Sequence, residues 1–145
     1  MQPPVHRVAI GHQGIEIFTD LLEGLPPVRG VRQRIEQILI NLIGNACQAL
    51  QEGNATIEVC TRIRPDGEQV AVMVRDYGTG IAPEHLERIT DPFFTTRREV
   101  GGTGLGLSLS ARMAKEHGGS LEFASALGKG TTVTLVLPVC RENNA

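Results

Sequence analysis

The sequence predicts an α/β (α+β) fold: a two-layer sandwich in which a mixed β-sheet is covered on one face by about three helices. Segment 31–50 has apolar residues at spacings of three and four, which is typical of a helix packed on a core. Several other segments have strand character, and helices do not separate them in strict βαβ alternation. Hydrophobic residues make up 41% of the chain but aromatic residues only 3%, so the core must consist mainly of aliphatic side chains.

The first half of the chain is predicted to contain a strand, a long helix and a β-hairpin. The strand spans about Ile15–Leu21, and a proline-containing segment leads from it to the helix, Val31–Leu50. Two strands follow, Thr56–Ile63 and Gln69–Arg75, joined by a turn at 64–68 that is typical of a hairpin. The apolar arc of the helix comprises Ile35, Ile38, Leu39, Leu42, Ile43, Ala46 and Leu50.

The second half is predicted to contain a turn-rich segment, a second long helix and two closing strands. A short helix is expected from Pro83 to about Arg88, because proline suits a first helical turn. Residues 91–104 show no periodicity and are expected to form a long functional loop. The second long helix spans Leu105–Glu116, and a pair of glycines ends it. The closing strands are Ser120–Ser125 and Thr131–Leu137.

The expected organisation is one domain at 14–138. Residues 1–13 are interpreted as an N-terminal arm or linker remnant, and 139–145 as a C-terminal tail. A length of 145 residues is sufficient for one hydrophobic core.

Charge and composition exclude several classes of protein. The formal net charge of -2 and pI near 6.1 do not favour a general nucleic-acid binder. No apolar run has the length of a membrane span, and the first thirty residues lack the pattern of a signal peptide. The three cysteines, Cys47, Cys60 and Cys140, show no metal-binding spacing. We therefore expect a cytoplasmic domain with reduced, partly buried thiols and no contact of its own with membranes or nucleic acid.

Amide side chains form a stripe beside the apolar arc of the first helix. At 100° per residue, Asn45 lies about 40° from Asn41 and Gln48 about 20° on its other side. Asparagine is unfavourable inside helices, so two at this spacing suggest amide oxygens directed into a cavity, where a hard cation such as Mg²⁺ accepts them. A solvated polar edge of the helix is the alternative interpretation.

A second motif, "DYGTGI", follows a predicted strand directly. Asp76 ends that strand, and Gly78 and Gly80 permit a tight turn. A carboxylate in this place can accept a hydrogen bond from an exocyclic amine such as that of adenine. An ordinary turn explains the motif equally well when it is taken alone.

Two further motifs lie in segment 91–107. "DPFFTTRREVGG" places Arg97 and Arg98 between two phenylalanines and a glycine-rich stretch, as in a mobile lid, or as solvated charges. "GGTGLGL" then opens the second helix, where backbone N–H groups can approach a phosphate. Its spacing is neither the Rossmann nor the Walker pattern, so a flexible hinge remains the alternative.

The order of these motifs resembles that in the catalytic ATP-binding domain of sensor histidine kinases, in the GHKL superfamily with the Bergerat fold. "NLIGNACQAL" resembles the N box, "DYGTGI" the G1 box, "DPFFTT" the F box and "GTGLGL" the G2 box, while "GKGTT" resembles the turn before the last strand. The resemblance covers roughly 14–138. Single boxes are weak signals, but five in order are specific.

The resemblance implies ATP and Mg²⁺ as cofactors and Asn41 and Asn45 as the catalytic residues. Asn45 would ligate the Mg²⁺ that bridges the phosphates, with Asn41 near it. Asp76 would bind adenine, Thr131 would lie near adenine through solvent, and the G2 glycines with their neighbours would contact the triphosphate through backbone amides. The implied binding residues are Asn45, Gln48, Ala49, Asp76, Gly78, Gly80, Ile81, Arg97, Arg98, Gly102, Thr103, Gly104, Leu105, Gly106, Leu107 and Thr131.

Three positions depart from the family pattern. Tyr77 replaces an asparagine common in the G1 box, Gln48 replaces a basic residue after the N-box asparagine, and Arg97 replaces the F-box lysine. Arginine can still pair with phosphate, although with fork rather than point-charge geometry. These changes affect the expected phosphate contacts rather than the expected fold.

The resemblance implies γ-phosphoryl transfer to a histidine in two-component signal transduction. Hydrolases of the superfamily carry a glutamate that activates water at the position of Asn41, and an amide cannot act as that base. None of the four histidines has an acceptor context, so we expect the catalytic half of a larger protein. Its partners would be the dimerisation and phosphoacceptor domain of the parent kinase and a downstream response regulator. The alternatives are a GHKL ATPase, a serine protein kinase, and a nucleotide-binding regulatory module without transfer activity.

Overall fold

A computed structural model describes residues 5–12, 15–49, 56–78, 106–126 and 128–140 of the chain. They form six strands and two helices, which lie in two layers. The strands are β1 (Val5–His12), β2 (Ile15–Leu22), β3 (Thr56–Ile63), β4 (Gln69–Asp76), β5 (Ser120–Ala126) and β6 (Gly130–Pro138). The helices are α1 (Arg32–Ala49) and α2 (Gly106–Glu116).

The strands form one mixed sheet in the order β1-β2-β3-β4-β6-β5. Only β2 and β3 are parallel, and α1 lies between them in the sequence, whereas the other neighbouring strands are antiparallel. A parallel pair needs a crossover connection, which α1 provides. The predicted two-layer architecture with a mixed sheet is therefore confirmed.

The core lies between the sheet and the two helices. From α1 it contains Ile38, Leu42 and Ala46, which are members of the predicted apolar arc and are between 0% and 4% exposed. Ile35, Leu39 and Ile43 pack against this cluster, and Leu50 lies outside the described residues. The sheet and α2 contribute Ile57, Val74, Leu135, Leu137, Met113 and Ala114. The face of α1 that covers the sheet is therefore the one predicted from its periodicity.

The assignment of residues 1–13 to an arm is wrong for Val5–His12. These residues form the edge strand β1, which pairs with β2 from Val5↔Leu22 to His12↔Ile15. The strand lacks a clear alternation of apolar and polar residues, so its pairing with β2 reveals it and its own sequence does not. The predicted tail also begins within the fold, because Val139 bridges Val28 and the Cys140 N–H donates to the Pro27 carbonyl.

The helices α1 and α2 run antiparallel and are linked at the start of α1. There the Val31 N–H donates to His117 Nε2 at 3.1 Å, and His117 Nδ1 lies 2.7 Å from the Met113 carbonyl oxygen. Since Nε2 accepts from Val31, Nδ1 is the donor to the Met113 carbonyl. We call this region the His117 end of the molecule.

The three cysteines are half-buried free thiols, as predicted. Burial raises the pKa of the Cys47 thiol above its ordinary value. The predicted short helix from Pro83 and the loop 91–104 lie outside the described residues.

Candidate functional site

A row of residues crosses the sheet where β4 ends. The strand register places Asp76 opposite Ile57 of β3 and opposite Thr131 of β6, and Thr131 opposite Ser125 of β5. Directly paired residues point to the same side of a sheet, and side chains alternate along a strand. Because Val74, two residues before Asp76, belongs to the core, the whole row faces the helices. We call this region the Asp76 end.

The Asp76 carboxylate is almost completely buried at the last position of β4. Asp76 is 5% exposed, and its Oδ1 accepts a hydrogen bond from the Gly78 N–H at 2.9 Å. The prediction that Asp76 lies at the end of the strand is confirmed, and Gly80 of the predicted turn lies outside the described residues. A buried carboxylate is costly unless polar groups surround it, so this position is suited to a polar ligand.

Thr131 and Ser125 extend the polar surface beside Asp76. Thr131 is 8% exposed, and its hydroxyl lies 2.8 Å from that of Ser125. Ser125 Oγ also donates to the Gly130 carbonyl at 2.9 Å. Thr131 is one of the predicted site residues and Ser125 is not, although the register of the hairpin between β5 and β6 places the two side by side.

Gly130 allows β6 to pass very close to Asp76. A Cβ atom at this position would collide with the Asp76 carbonyl oxygen and would lie 2.8 Å from the Tyr77 Cα. The residue also has a φ of 98°, in the left-handed region that favours glycine. The second glycine of the predicted "GKGTT" turn, Gly130, is therefore required by the backbone next to Asp76.

Helix α1 carries the predicted amide stripe toward the Asp76 end. Asn41 Oδ1 accepts from Gln37 Nε2 at 3.0 Å, and Asn41 Nδ2 donates to Ser110 Oγ of α2 at 3.1 Å. Asn45 is half-buried one turn further along α1 and directly precedes the core residue Ala46. Gln48 and Ala49 lie in the last turn of α1, and their side chains are outside what the structure describes.

Helix α2 begins at the same end of the molecule with Gly106. The half-buried Leu107 side chain packs against the core. Ser110, one turn after Gly106, is completely buried and receives the hydrogen bond from Asn41. Sequence reasoning missed Ser110, because its partner lies 69 residues away and no local pattern indicates it.

The Tyr77 side chain lies on the other face of the sheet. Its hydroxyl donates to Glu58 Oε1 at 2.8 Å, and the Arg75 guanidinium lies 4.7 Å from the ring centroid. Glu58 and Arg75 pair across β3 and β4 on the face away from the helices. The hydrogen bond to Glu58 raises the pKa of Tyr77, and partial burial and the Glu58 charge act in the same direction. The Tyr77 side chain, which departs from the family pattern in the G1 box, therefore points away from the Asp76 row.

The remaining predicted site residues lie outside the described residues. The structure does not bear on their assignment. They are Gly80, Ile81, Arg97, Arg98, Gly102, Thr103, Gly104 and Leu105.

The described part of the chain holds no group of three or more His, Cys, Asp and Glu side chains that could bind a metal ion. Within the same ranges, no helix has the length and apolar character needed to cross a membrane.

The chain matches a known family of proteins over most of its length. The family described as histidine kinase-, DNA gyrase B-, and HSP90-like ATPase matches residues 30–141. The chain belongs to this family of ATPases. The match begins just before α1 and includes both helices and strands β3 to β6.

Curated relatives narrow the class to sensor histidine kinases. The signal transduction histidine-protein kinase AtoS of Escherichia coli is 37% identical over 130 residues, covering 90% of this chain and 21% of AtoS. The sensor histidine kinase ZraS of Escherichia coli is 40% identical over 115 residues, covering 79% of this chain and 24% of ZraS. The chain thus spans between a fifth and a quarter of the length of these relatives and corresponds to their ATP-binding catalytic domain.

A solved structure shows the same fold with a nucleotide analogue. The crystal structure of full-length ShkA in complex with AMPPNP superimposes with a TM-score of 0.75 at 32% identity, covering 87% of this chain and 26% of ShkA. The predicted assignment to the histidine kinase ATP-binding domain is confirmed.

Proposed function

We propose that this chain binds Mg-ATP at the Asp76 end and positions the γ-phosphate for transfer to a histidine of its parent kinase. The acceptor would lie on a dimerisation domain in the cytoplasm, and a response regulator would receive the phosphoryl group in turn. The observation that carries this proposal is the convergence at one end of the fold. The buried Asp76 and Thr131 face the helix layer at the end of the sheet opposite Pro138 and His117, and Asn45 of α1 and Gly106 of α2 lie toward the helix ends away from His117.

Asp76 is the proposed contact for the adenine base. Its carboxylate is held at the strand end by the Gly78 N–H, so its direction is set before a nucleotide arrives. A carboxylate accepts a hydrogen bond from the exocyclic amine of adenine, and guanine presents a carbonyl at that position. Thr131, directly opposite, is placed to contact the same base through a water molecule. Gly78, Gly80 and Ile81 would shape the turn at the edge of this pocket.

The donor groups of the described site fit Mg²⁺ better than a softer metal. Asn45 offers an amide oxygen, and the described residues hold no cluster of histidine, cysteine or carboxylate ligands. Mg²⁺ prefers oxygen ligands and usually keeps only one or two from the protein, with the others from phosphates and water. When bound, the ion would neutralise charge on the phosphate oxygens. Asn45 would hold it at the α1 side of the pocket, with Gln48 and Ala49 in the next turn.

The start of α2 is the proposed triphosphate site. Backbone N–H groups at a helix N-terminus attract phosphate, and the glycines at 102, 104 and 106 would let the phosphates approach them. Thr103, Leu105 and Leu107 would contribute backbone groups only. Arg97 and Arg98 would add positive charge from the preceding segment.

Phosphoryl transfer fits this site better than hydrolysis. The acceptor imidazole nitrogen would attack the γ-phosphorus while the bond to the β-phosphate oxygen breaks and ADP leaves. Such transfer depends mainly on orientation and charge neutralisation, which binding groups supply. Water activation needs a general base, and the residue at position 41 is an asparagine with both ends of its amide hydrogen bonded.

The test is to incubate the chain with γ-labelled ATP, alone and with the dimerisation domain of its parent kinase. We expect acid-labile, base-stable label on that domain's histidine, very slow ATP turnover by the chain alone and no labelling of the chain itself. Brisk turnover by the isolated chain would identify a hydrolase. Nucleotide binding without transfer to the supplied domain would identify a regulatory module.

A further inference from the structure

The Asn41 amide links the two helices of the site. Its Oδ1 accepts from Gln37 on the same helix, and its Nδ2 donates to Ser110 Oγ on α2 at 3.1 Å. Ser110 has no exposed surface, and Asn41 is half-buried. A side chain whose donor and acceptor ends are both occupied by neighbouring side chains is oriented by them. Asn41 is therefore oriented toward α2.

The position of this hydrogen bond relates it to both parts of the proposed site. On α1, Asn45 follows Asn41 by four residues, and on α2, Gly106 precedes Ser110 by four residues. Four residues are about one helical turn. Because the helices run antiparallel, moving one turn toward the Asp76 end from the Asn41–Ser110 bond reaches Asn45 on one helix and the start of α2 on the other.

The apolar contacts between the helices do not fix their relative position as sharply. Leu42, Met113 and Ala114 share the core cluster, but burial of apolar surface is not directional. A hydrogen bond weakens steeply with distance and angle. Asn41–Ser110 can therefore fix the displacement of α1 along α2 near the Asp76 end, as Val31–His117 does at the other end of the helices.

We propose that Asn41 and Ser110 are positioning residues, which hold Asn45 of α1 at the distance from the start of α2 that a phosphate-bound Mg²⁺ requires. This inference rests on the proposed function. In this role Asn41, which the resemblance implies to be catalytic, would act through Asn45 and the start of α2 rather than on the nucleotide itself. Only the Mg²⁺-dependent part of the nucleotide affinity would depend on this hydrogen bond. The ion would need Asn45 on α1 and, through the phosphates, the start of α2 at the same time. Binding of adenine at Asp76 does not depend on it, because Asp76 belongs to the sheet.

The experiment is a double-mutant cycle on the full 145-residue chain, with Asn41→Ala, Ser110→Ala and the two combined. Isothermal titration with ADP in the presence of Mg²⁺ and in EDTA gives the gain in affinity that Mg²⁺ provides. We expect each single substitution to reduce this gain by about three- to tenfold, the usual effect of one hydrogen bond. The double variant should lose no more than either single variant, because both remove the same interaction. For Ser110→Ala, whose residue has no assigned place in the nucleotide site, the ADP affinity in EDTA should stay within about twofold of wild type.

A matched control comes from the His117 end of the same two helices. His117→Ala removes the link between Val31 and the end of α2 without touching the Asp76 end. It should lower the melting temperature and leave the gain from Mg²⁺ unchanged. If Ser110→Ala fails to fold, Asn41→Ser is a second variant. It shortens the side chain at position 41 and leaves the buried Ser110 hydroxyl in place. It should reproduce the loss of Asn41→Ala.

The outcomes are distinct. An unchanged gain in Ser110→Ala or Asn41→Ser would overturn the inference. So would additive losses in the double variant, because they would mean that Asn41 contacts the metal or nucleotide directly. Equal losses of ADP affinity with Mg²⁺ and in EDTA would also overturn it, because the Asn41–Ser110 hydrogen bond would then have only a structural role. Absence of ADP binding in wild type would overturn the proposed function itself and is recognised without any variant.

Discussion

The Asp76 end and the His117 end of the molecule differ in the groups that form their hydrogen bonds. At the His117 end the contacts involve backbone: the imidazole accepts from the Val31 N–H and donates to the Met113 carbonyl, and Gly119 N–H donates to the Ala114 carbonyl. At the Asp76 end the buried and half-buried polar groups are side-chain carboxylate, hydroxyl and amide groups on five elements, α1, α2, β4, β5 and β6. The hydrogen bonds at the His117 end thus join main-chain groups, whereas those at the Asp76 end join side chains where the nucleotide is proposed to bind.

A glycine at each end shows the same division. A Cβ on Gly119 would collide with the Val136 carbonyl oxygen, as one on Gly130 would with that of Asp76. Only Gly130 also has a φ in the left-handed region. Close backbone packing is therefore a structural requirement at both ends, but at the Asp76 end it also determines the position of a proposed ligand contact.

The largest effect is expected from Gly130→Ala, which combines overpacking with an unfavourable backbone conformation. We expect a loss of about 2–4 kcal/mol in the free energy of unfolding. Because the displaced backbone carries Asp76, affinity for ADP should fall as well. The measurement is chemical denaturation together with ADP titration below the unfolding midpoint.

Gly119→Ala is the matched control for that experiment. It should destabilise the fold through the collision with Val136 while the folded fraction binds ADP as wild type does. If both glycine variants lost the same affinity per folded molecule, the two ends would not be functionally separate.

Asp76→Asn should weaken adenine nucleotides and leave the fold intact. The amide can present its NH₂ group to the adenine amine, and the charge-assisted hydrogen bond is lost, at a cost of roughly 1.5–3 kcal/mol in binding free energy. Titration with ADP and with GDP measures it, since loss of preference between the two bases is also expected. Wild-type affinity in the variant would mean that Asp76 serves only the turn with Gly78.

Asn45→Ala should change the response to Mg²⁺ more than binding itself. We expect ADP affinity in EDTA to be nearly unchanged and the gain from Mg²⁺ to fall by about tenfold, which corresponds to roughly 1.4 kcal/mol. Its effect should add to that of a change in the sheet such as Asp76→Asn, because the two residues are proposed to bind different parts of Mg-ADP. An equal loss under both conditions would identify a structural asparagine.

The smallest effect concerns Tyr77, which lies at the Asp76 end but on the opposite face of the sheet. Its hydrogen bond to Glu58 raises its pKa above the ordinary value of 10.0. A raised pKa means that the protonated phenol is favoured in the folded state. The resulting stability is fully present below the ordinary pKa and is lost as pH rises through the raised value.

Tyr77 is the single tyrosine of the chain, so an absorbance titration reports it directly. Glu58→Gln should move the pKa back toward the ordinary value, and saturating ADP should not move it in wild type. A shift on adding ADP would show that the two faces of the sheet communicate at this end.

The sequence predicted the local elements well because their signals are short-range. The period of α1 predicted Val31–Leu50, and the helix spans Arg32–Ala49 with the expected residues in the core. The hairpin strands β3 and β4 were also found nearly to the residue. Strand β1 was missed, because an edge strand with a weak alternation is recognisable only beside its partner β2.

For the candidate site, the sequence determined which chemical groups are available and in what order, from the N-box asparagines to the "GKGTT" turn. The tertiary structure decided which of them meet. It paired Asp76 with Thr131 across β4 and β6, directed Tyr77 to the other face, and gave Asn41 a partner in Ser110. The physical reason is that periodicity and turn chemistry act over a few residues, whereas strand register and helix–helix contacts depend on how distant segments pack around the common core.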